Sequence, residues 1–326
     1  MKDRMGWIVL YLNRATADLY EVMREEAPPG LQLLFLDSGR PEEVREKLPR
    51  ADAILIADAP LTTEMIQQAA KLKMVQHQGV GYERIDVKAL AKAGVPLALC
   101  PAGTDEAVGE HTVLLMLAAL KRLVAAHDAM VAGKWLRWEL RMSTRDLYGK
   151  TVGLIGFGRT GRAVAKRLRG FGVRLIANDP YITLSDRERA EFGVTLVSKE
   201  ILLREADIVS LHVPLTEETR HLIGRPDLAQ MKPSAVLINV SRGGVIDQPA
   251  VYEALKDRRI MAAGFDVYST EPLPAGDPLT TLDNVVLTPH IAAGTLDAFR
   301  TKLRFALGNI ARVMGGEEPL ERVLDT

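Results

Sequence analysis

Thr151-Val152-Gly153-Leu154-Ile155-Gly156-Phe157-Gly158-Arg159-Thr160-Gly161 is the stretch that decides the fold. Its first residues form a short apolar run that ends on a glycine, the pattern of a buried strand rather than a helix. Residues 162–171 then carry a helical pattern, so the glycines lie at a strand-to-helix turn. There Gly156 takes the tight bend, Gly158 lets the main chain approach a pyrophosphate, and Gly161 lets the helix pack on the strand. Arg159 and Thr160 lie within the same loop, where a helix N-terminus offers free N–H groups to phosphates. The next apolar run ends at Asp179, 23 residues after Gly156. A carboxylate at that place accepts the hydroxyls of an adenosine ribose and repels a 2′-phosphate. Positions 180 and 181 hold no arginine that could clamp such a phosphate. The expected cofactor is therefore NAD rather than NADP.

Outward from this loop the same alternation continues. Strands are expected at 151–155, 173–178, 207–211, 235–240, 261–265 and 284–287, six in all, the number of a complete doubly wound dinucleotide-binding sheet. Before the loop, apolar runs at 7–12, 31–36, 53–57, 74–77 and 95–99 alternate with helical patterns such as 15–26, 41–48 and 62–70. This βαβα order predicts a second parallel sheet. Between the two series, 110–131 reads as one long helix, apolar on more than one side and expected to be buried between domains or subunits. A Trp- and Arg-rich loop follows at 133–147, and a last amphipathic helix is expected at 295–314. Domain boundaries fall near Cys100–Pro101 and His290–Gly294.

Composition excludes several classes. The 326 residues are 47% hydrophobic and 26% charged, enough for a large core and too ordered in character for a disordered chain. Lys+Arg and Asp+Glu are both 42, so no global charge points to nucleic acid or an anionic membrane. The longest apolar run, 113–120, is far short of the roughly 20 residues that span a bilayer. No secretion signal is expected at the N-terminus. A single cysteine, Cys100, cannot form an internal disulfide or a cysteine-based zinc site; a reducing, cytoplasmic setting and no metal are expected.

Three charged residues fall where strands of the second series end, the edge at which open α/β sheets bind ligands. Arg242 follows the run 235–240, Glu271 follows 261–265, and His290 follows 284–287. An arginine can present a bidentate fork to a carboxylate. A glutamate beside a histidine stabilises imidazolium and fixes the tautomer. Such a histidine can give a proton to a carbonyl oxygen and remove it in reverse. Each residue alone has a structural explanation; three on successive strand ends beside a dinucleotide loop point to hydride chemistry on a 2-oxo acid.

At this point the chain resembles the D-isomer-specific 2-hydroxyacid dehydrogenases over nearly its whole length. The resemblance is carried by Gly-Lys-Thr-Val-Gly-Leu-Ile-Gly-Phe-Gly-Arg-Thr-Gly at 149–161, Ala-Asn-Asp-Pro-Tyr at 177–181 and His-Val-Pro-Leu-Thr at 212–216. It continues in Asn-Val-Ser-Arg-Gly-Gly-Val-Ile-Asp at 239–247, Gly-Phe-Asp-Val-Tyr-Ser-Thr-Glu-Pro at 264–272 and Thr-Pro-His-Ile-Ala-Ala at 288–293. It implies Arg242 as the carboxylate clamp, His290 as proton donor and acceptor, and Glu271 as its partner. It places Asp266 near the nicotinamide carboxamide, and His212, Pro214, Thr219, Val240, Ser241 and Val108 along the cofactor. In Gln-Gly-Val-Gly-Tyr at 78–82, the amides near Val80 and Gly81 are implied to hold the substrate carboxylate. Gly109 stands where the family usually has alanine.

The resemblance also implies an architecture. Residues 1–101 and 292–326 are expected to form a flavodoxin-like substrate-binding domain, and 102–291 a Rossmann NAD-binding domain, with the active site in a cleft between them. A homodimer through the cofactor domains is implied as well. Relatives acting on phosphoglycerate carry a basic residue after the third strand; this chain has Asp58 there and no base at 56–62. Small acids such as glyoxylate or hydroxypyruvate are therefore favoured, with phosphoglycerate open. The alternatives are an NAD-sensing protein like the corepressors of this superfamily, or a phosphite-type dehydrogenase using the same three residues.

Overall fold

The computed structural model describes residues 6–323, which divide into two compact units. The first unit is the chain through Thr104 together with the segment from Leu296 onward; the second is Asp105–Thr295. Short β-rich apolar runs supply the strands of both.

In the first unit the strands are β1 (Trp7–Tyr11), β2 (Leu31–Leu34), β3 (Ala53–Ile56), β4 (Met74–His77) and β5 (Leu97–Ala98). They pair in parallel in the order β2-β1-β3-β4-β5, the flavodoxin-like arrangement. All four residues of β3 and of β4 are buried, as expected for parallel strands covered on both faces. The helix Leu296–Met314 returns to this unit and buries Ala298, Leu303, Ala306, Leu307 and Ile310. Its buried Asn309 donates to Gln76 Oε1 (2.8 Å) and to Leu320 O (3.0 Å), and accepts the Leu320 N–H (2.8 Å). Those bonds satisfy an amide that would otherwise be costly to bury.

The second unit holds β6 (Thr151–Ile155), β7 (Arg174–Asn178), β8 (Val194–Leu196), β9 (Ile208–Leu211), β10 (Val236–Asn239), β11 (Ala262–Phe265) and β12 (Val285–Leu287). All pair in parallel, in the order β12-β11-β10-β9-β6-β7-β8. Strand order reverses between β6 and β9, the switch point where doubly wound sheets take their ligand. The sheet has seven strands rather than the expected six. The additional one, β8, is a three-residue edge strand behind Gly193 (φ +61°), too short to leave an alternating pattern.

The long helix is corrected in two respects. It begins at Asp105 rather than 110, and it breaks after Lys121. Arg122 takes the left-handed conformation (φ +49°), and a second helix, Leu123–Val131, starts behind it. The break coincides with contacts to distant segments: the Arg122 guanidinium reaches the Asp283 carboxylate (2.8 Å), and the Leu120 carbonyl accepts the Arg145 N–H (2.9 Å). Asp105–Lys121 lies against the helix Arg159–Leu168 and strands β10 and β11 of its own unit, burying Val108, Val113, Leu115 and Met116.

Candidate active site

The edge of the second sheet begins with the glycine loop. Gly156 has φ +91°, and a Cβ there would lie 2.5 Å from His212 O. Only glycine fits a bend so close to the chain leaving β9. A Cβ on Gly161 would lie 2.5 Å from Gly156 O, so the helix start packs directly on the turn. A Cβ on Gly158, by contrast, would meet nothing within 4 Å. Gly158 caps the helix Arg159–Leu168 without a side chain, leaving main-chain N–H groups for an anion. Open space before a helix N-terminus, beside a carboxylate at the end of the next strand, fits a dinucleotide. Asp179 is that carboxylate: Oδ2 accepts the Phe157 N–H (2.9 Å) and Oδ1 the Tyr181 N–H (3.0 Å).

Arg159 and Thr160 are both engaged by Asp105. The Thr160 hydroxyl donates to Oδ1 (2.8 Å), and Arg159 Nε lies 3.4 Å from Oδ2. The His212 imidazole is enclosed, its Nε2 2.9 Å from Ser210 Oγ; burial pushes its pKa down to about 3, so it is neutral. Thr219 shapes its own loop, its hydroxyl donating to Pro214 O (2.6 Å) and accepting the Thr216 N–H (2.7 Å). Val240 is buried, and Ser241 gives its N–H (3.1 Å) and hydroxyl (2.9 Å) to Asn239 Oδ1. Val108 is buried within its helix, where its carbonyl accepts the Thr112 hydroxyl (2.6 Å).

Arg242, Glu271 and His290 stand at the ends of β10, β11 and β12, three adjacent strands. The Arg242 carbonyl accepts the Asn239 amide (3.0 Å), and its guanidinium donates to Ser241 O (2.8 Å). The histidine and glutamate are in direct contact, His290 Nδ1 to Glu271 Oε2 at 2.7 Å. A carboxylate only accepts, so Nδ1 carries the proton and Nε2 is the ring nitrogen that this bond does not use. The other oxygen, Glu271 Oε1, accepts the Tyr268 N–H (3.0 Å) and is thereby fixed. His290 itself is held at φ +53°, an uncommon backbone for a residue with a side chain.

Asp266 explains how that backbone is held. It is fully buried, Oδ1 accepting the Thr288 hydroxyl (2.6 Å) and the Ile291 N–H (2.9 Å), and Oδ2 the Ala292 N–H (2.8 Å). His111 Nε2 lies 3.0 Å from Thr288 Oγ1 and 3.5 Å from Asp266. Burial pushes the Asp266 carboxyl up, but bonds from His111, Thr288 and the two N–H groups outweigh it and leave it below the usual range. His111, Thr288 and Tyr268 belong to this network and are not among the site residues expected from the sequence. Tyr268 donates its hydroxyl to Thr288 O (2.8 Å) and Phe265 O (3.1 Å). Only the closeness of Thr288 to His290 in sequence hinted at this network.

In the first unit, Val80 and Gly81 lie in the loop after β4, with the Val80 side chain exposed. The loop is anchored by Gly79, whose N–H donates to His77 Nδ1 (2.8 Å), and by buried Gln78. Cys100 is buried, and burial pushes its thiol up to about 11. Among the described residues no group of three or more His, Cys, Asp or Glu could hold a metal ion, and no helix is long and apolar enough to cross a membrane.

A glycine turn at the switch point of one parallel sheet, a carboxylate at the end of the next strand and a paired His–Glu at the same edge are the parts that a dinucleotide-dependent oxidoreductase needs. Residues 113–292 match the model of the D-isomer specific 2-hydroxyacid dehydrogenase NAD binding domain. The chain is 40% identical over 303 residues to a glyoxylate reductase of Korarchaeum cryptofilum, covering 92% of this chain and 87% of that one. It is 42% identical over 279 residues to a D-3-phosphoglycerate dehydrogenase of Methanocaldococcus jannaschii, covering 85% of this chain but only 52% of that protein. Its fold superposes on the apo-structure of D-lactate dehydrogenase from Escherichia coli with a TM-score of 0.85 at 28% identity, over 97% of this chain and 99% of that one. The chain belongs to the D-isomer-specific 2-hydroxyacid dehydrogenase family and is an NAD-dependent oxidoreductase acting between 2-hydroxy and 2-oxo acids.

Proposed function

We propose that His290 and Glu271 are the acid–base pair of this reaction and that Arg242 is the clamp for the substrate carboxylate. The 2.7 Å contact between His290 and Glu271 carries the reading. With Nδ1 donating to Glu271, Nε2 is the atom that gives a proton to the 2-oxo oxygen during reduction and takes it back during oxidation. The Arg242 fork neutralises the carboxylate and polarises the adjacent carbonyl. Bound NAD supplies or accepts the hydride. Gly156, Gly158, Arg159, Thr160 and Gly161 would hold its pyrophosphate, and Asp179 its ribose. Val240, Ser241 and the loop of His212, Pro214 and Thr219 would line it, while Asp266 and the helix of Val108 support the nicotinamide end. In the first unit, the substrate domain of this reading, Val80 and Gly81 offer N–H groups to the substrate carboxylate.

The substrate proposed is a small 2-oxo acid such as glyoxylate or hydroxypyruvate. Likeness to the archaeal glyoxylate reductase supports it. So does the loop after β3, where an acid, Asp58, is bonded by the Asn13 amide and no base is present. A homodimer in a cytoplasmic setting is also proposed. Val131, Trp135, Trp138 and Met142 are all exposed within one run of the second unit, and such apolar surface usually marks an interface.

The test is NADH oxidation by the purified protein with glyoxylate, hydroxypyruvate, pyruvate and 3-phosphohydroxypyruvate, alongside light scattering. Turnover of a small acid well above the phosphorylated one supports the reading. Turnover of the phosphorylated acid alone removes the substrate assignment, and binding of NADH without turnover of any acid points to a substrate outside this set or to the NAD-sensing reading. A monomeric mass removes the dimer.

A further inference from the structure

The side chain of Tyr181 stands out at the adenosine end of this edge. It is 78% exposed, yet its phenol donates to the Glu218 carboxylate. Tyr181 follows β7 and Glu218 lies in the loop after β9, and these strands are the two neighbours of β6. The pair therefore spans the sheet edge in front of the glycine loop, starting two residues beyond Asp179.

We propose that Glu218, positioned by Tyr181, is a second residue that sets the preference for NAD over NADP. The proposal rests on reading Asp179 as the ribose acceptor. Asp179 is already oriented by two N–H groups, at 2.9 and 3.0 Å, with lone pairs left for the ribose hydroxyls. A 2′-phosphate placed there carries about −1.5 to −2 charge and meets Asp179 first. Glu218, tied to the residue that bonds Asp179, adds a second negative charge on the same side. The phenol stays a donor, because Glu218, and less strongly Asp179, hold its pKa above the ordinary value.

Nearby cations are directed elsewhere. Arg220 lies 3.4 Å from Glu217, and Arg159 lies 3.4 Å from Asp105. The Glu218 loop is also fixed, since Thr219 closes it onto Pro214 O and Thr216 N, and Arg220 N–H donates to Thr216 O (2.9 Å). A carboxylate on a fixed loop acts as a standing charge. NADH, with a neutral 2′-hydroxyl, is indifferent to it to first order.

The test is calorimetric titration of NADH and NADPH into wild type, Glu218→Gln, Tyr181→Phe and Asp179→Asn, at low and high ionic strength. Glu218→Gln is expected to tighten NADPH about fivefold, the scale of one exposed charge pair, and to leave NADH within about twofold. It should also flatten the salt dependence of the NADPH/NADH ratio, because salt screens exposed charges. Tyr181→Phe should act in the same direction and more weakly. A Glu218→Gln protein with an unchanged ratio and salt dependence overturns the proposal if Asp179→Asn does shift the ratio. Equal weakening of both cofactors by Glu218→Gln also overturns it, since that is a structural loop effect. An unchanged ratio in Asp179→Asn overturns the ribose reading beneath it.

Discussion

The two halves of the second sheet's edge are built in opposite ways. Around β6, β7 and β9 the site is made by removing atoms: Gly156 and Gly161 have no room for a Cβ, and Gly158 keeps space open. Around β10, β11 and β12 it is made by side chains, with Glu271 holding His290 and Asp266 gathering the loop beneath. Main-chain groups suit what every dinucleotide shares, with Asp179 and Glu218 the side chains of this half proposed to select among them. A site of side chains performs one reaction. The first half should break when atoms are added, and the second when they are taken away.

The largest effect is expected in the side-chain half. His290→Gln should lower turnover by about 10²–10⁴, the usual contribution of a general acid, with NADH affinity unchanged. Steady-state kinetics and calorimetry on one preparation check both parts. Turnover near wild type would take His290 out of the chemistry, and lost NADH binding would blur the division between the halves.

The glycines sharpen the division inside the first half. Gly156→Ala places a Cβ 2.5 Å from His212 O in a left-handed backbone, and should cost about 2 kcal/mol or more of stability. Gly158→Ala meets nothing within 4 Å, so its unfolding midpoint should stay close to wild type. Its added methyl occupies the space proposed for pyrophosphate, and NADH should bind about tenfold more weakly, or about 1.4 kcal/mol. Denaturant titration separates the two. Equal destabilisation by both alanines would mean that Gly158 is a packing glycine and not an open face of the site.

What was legible in the sequence follows the same line. The glycine loop, Asp179 and the strand-end positions of Arg242, Glu271 and His290 could be read, because strand, turn and helix are short-range patterns. The break at Arg122 could not: nothing in an eight-residue apolar run at 113–120 shows that Asp283, far along the chain, will capture the next arginine. β8 was missed because a three-residue edge strand carries no period. His111 stands in a largely apolar helix with no signal of its own, and its contacts are with Thr288 and Asp266, 177 and 155 residues later. Patterns within a dozen residues survive in the sequence, whereas the choice of a distant partner is made by packing.

The last expected effect is spread over pH and lies in the loop that leaves β9. The His212 carbonyl lies where a Cβ on Gly156 would fall, while its imidazole is enclosed and neutral, with a pKa near 3 against an ordinary 6.5. Between those values the unfolded chain binds a proton there that the folded chain does not. Stability must then rise with pH across that window and fall as pH drops below about 6.5, by about 1 kcal/mol per pH unit from this group. Other groups titrate in the same range, so the quantity to measure is a difference. Denaturant midpoints of wild type and His212→Asn from pH 7 to pH 5 should diverge at neutral pH and converge as acid is added, since the variant has no imidazole to protonate. Parallel pH profiles would show that the imidazole binds protons equally in the folded and unfolded chain, and that it is open to water rather than enclosed.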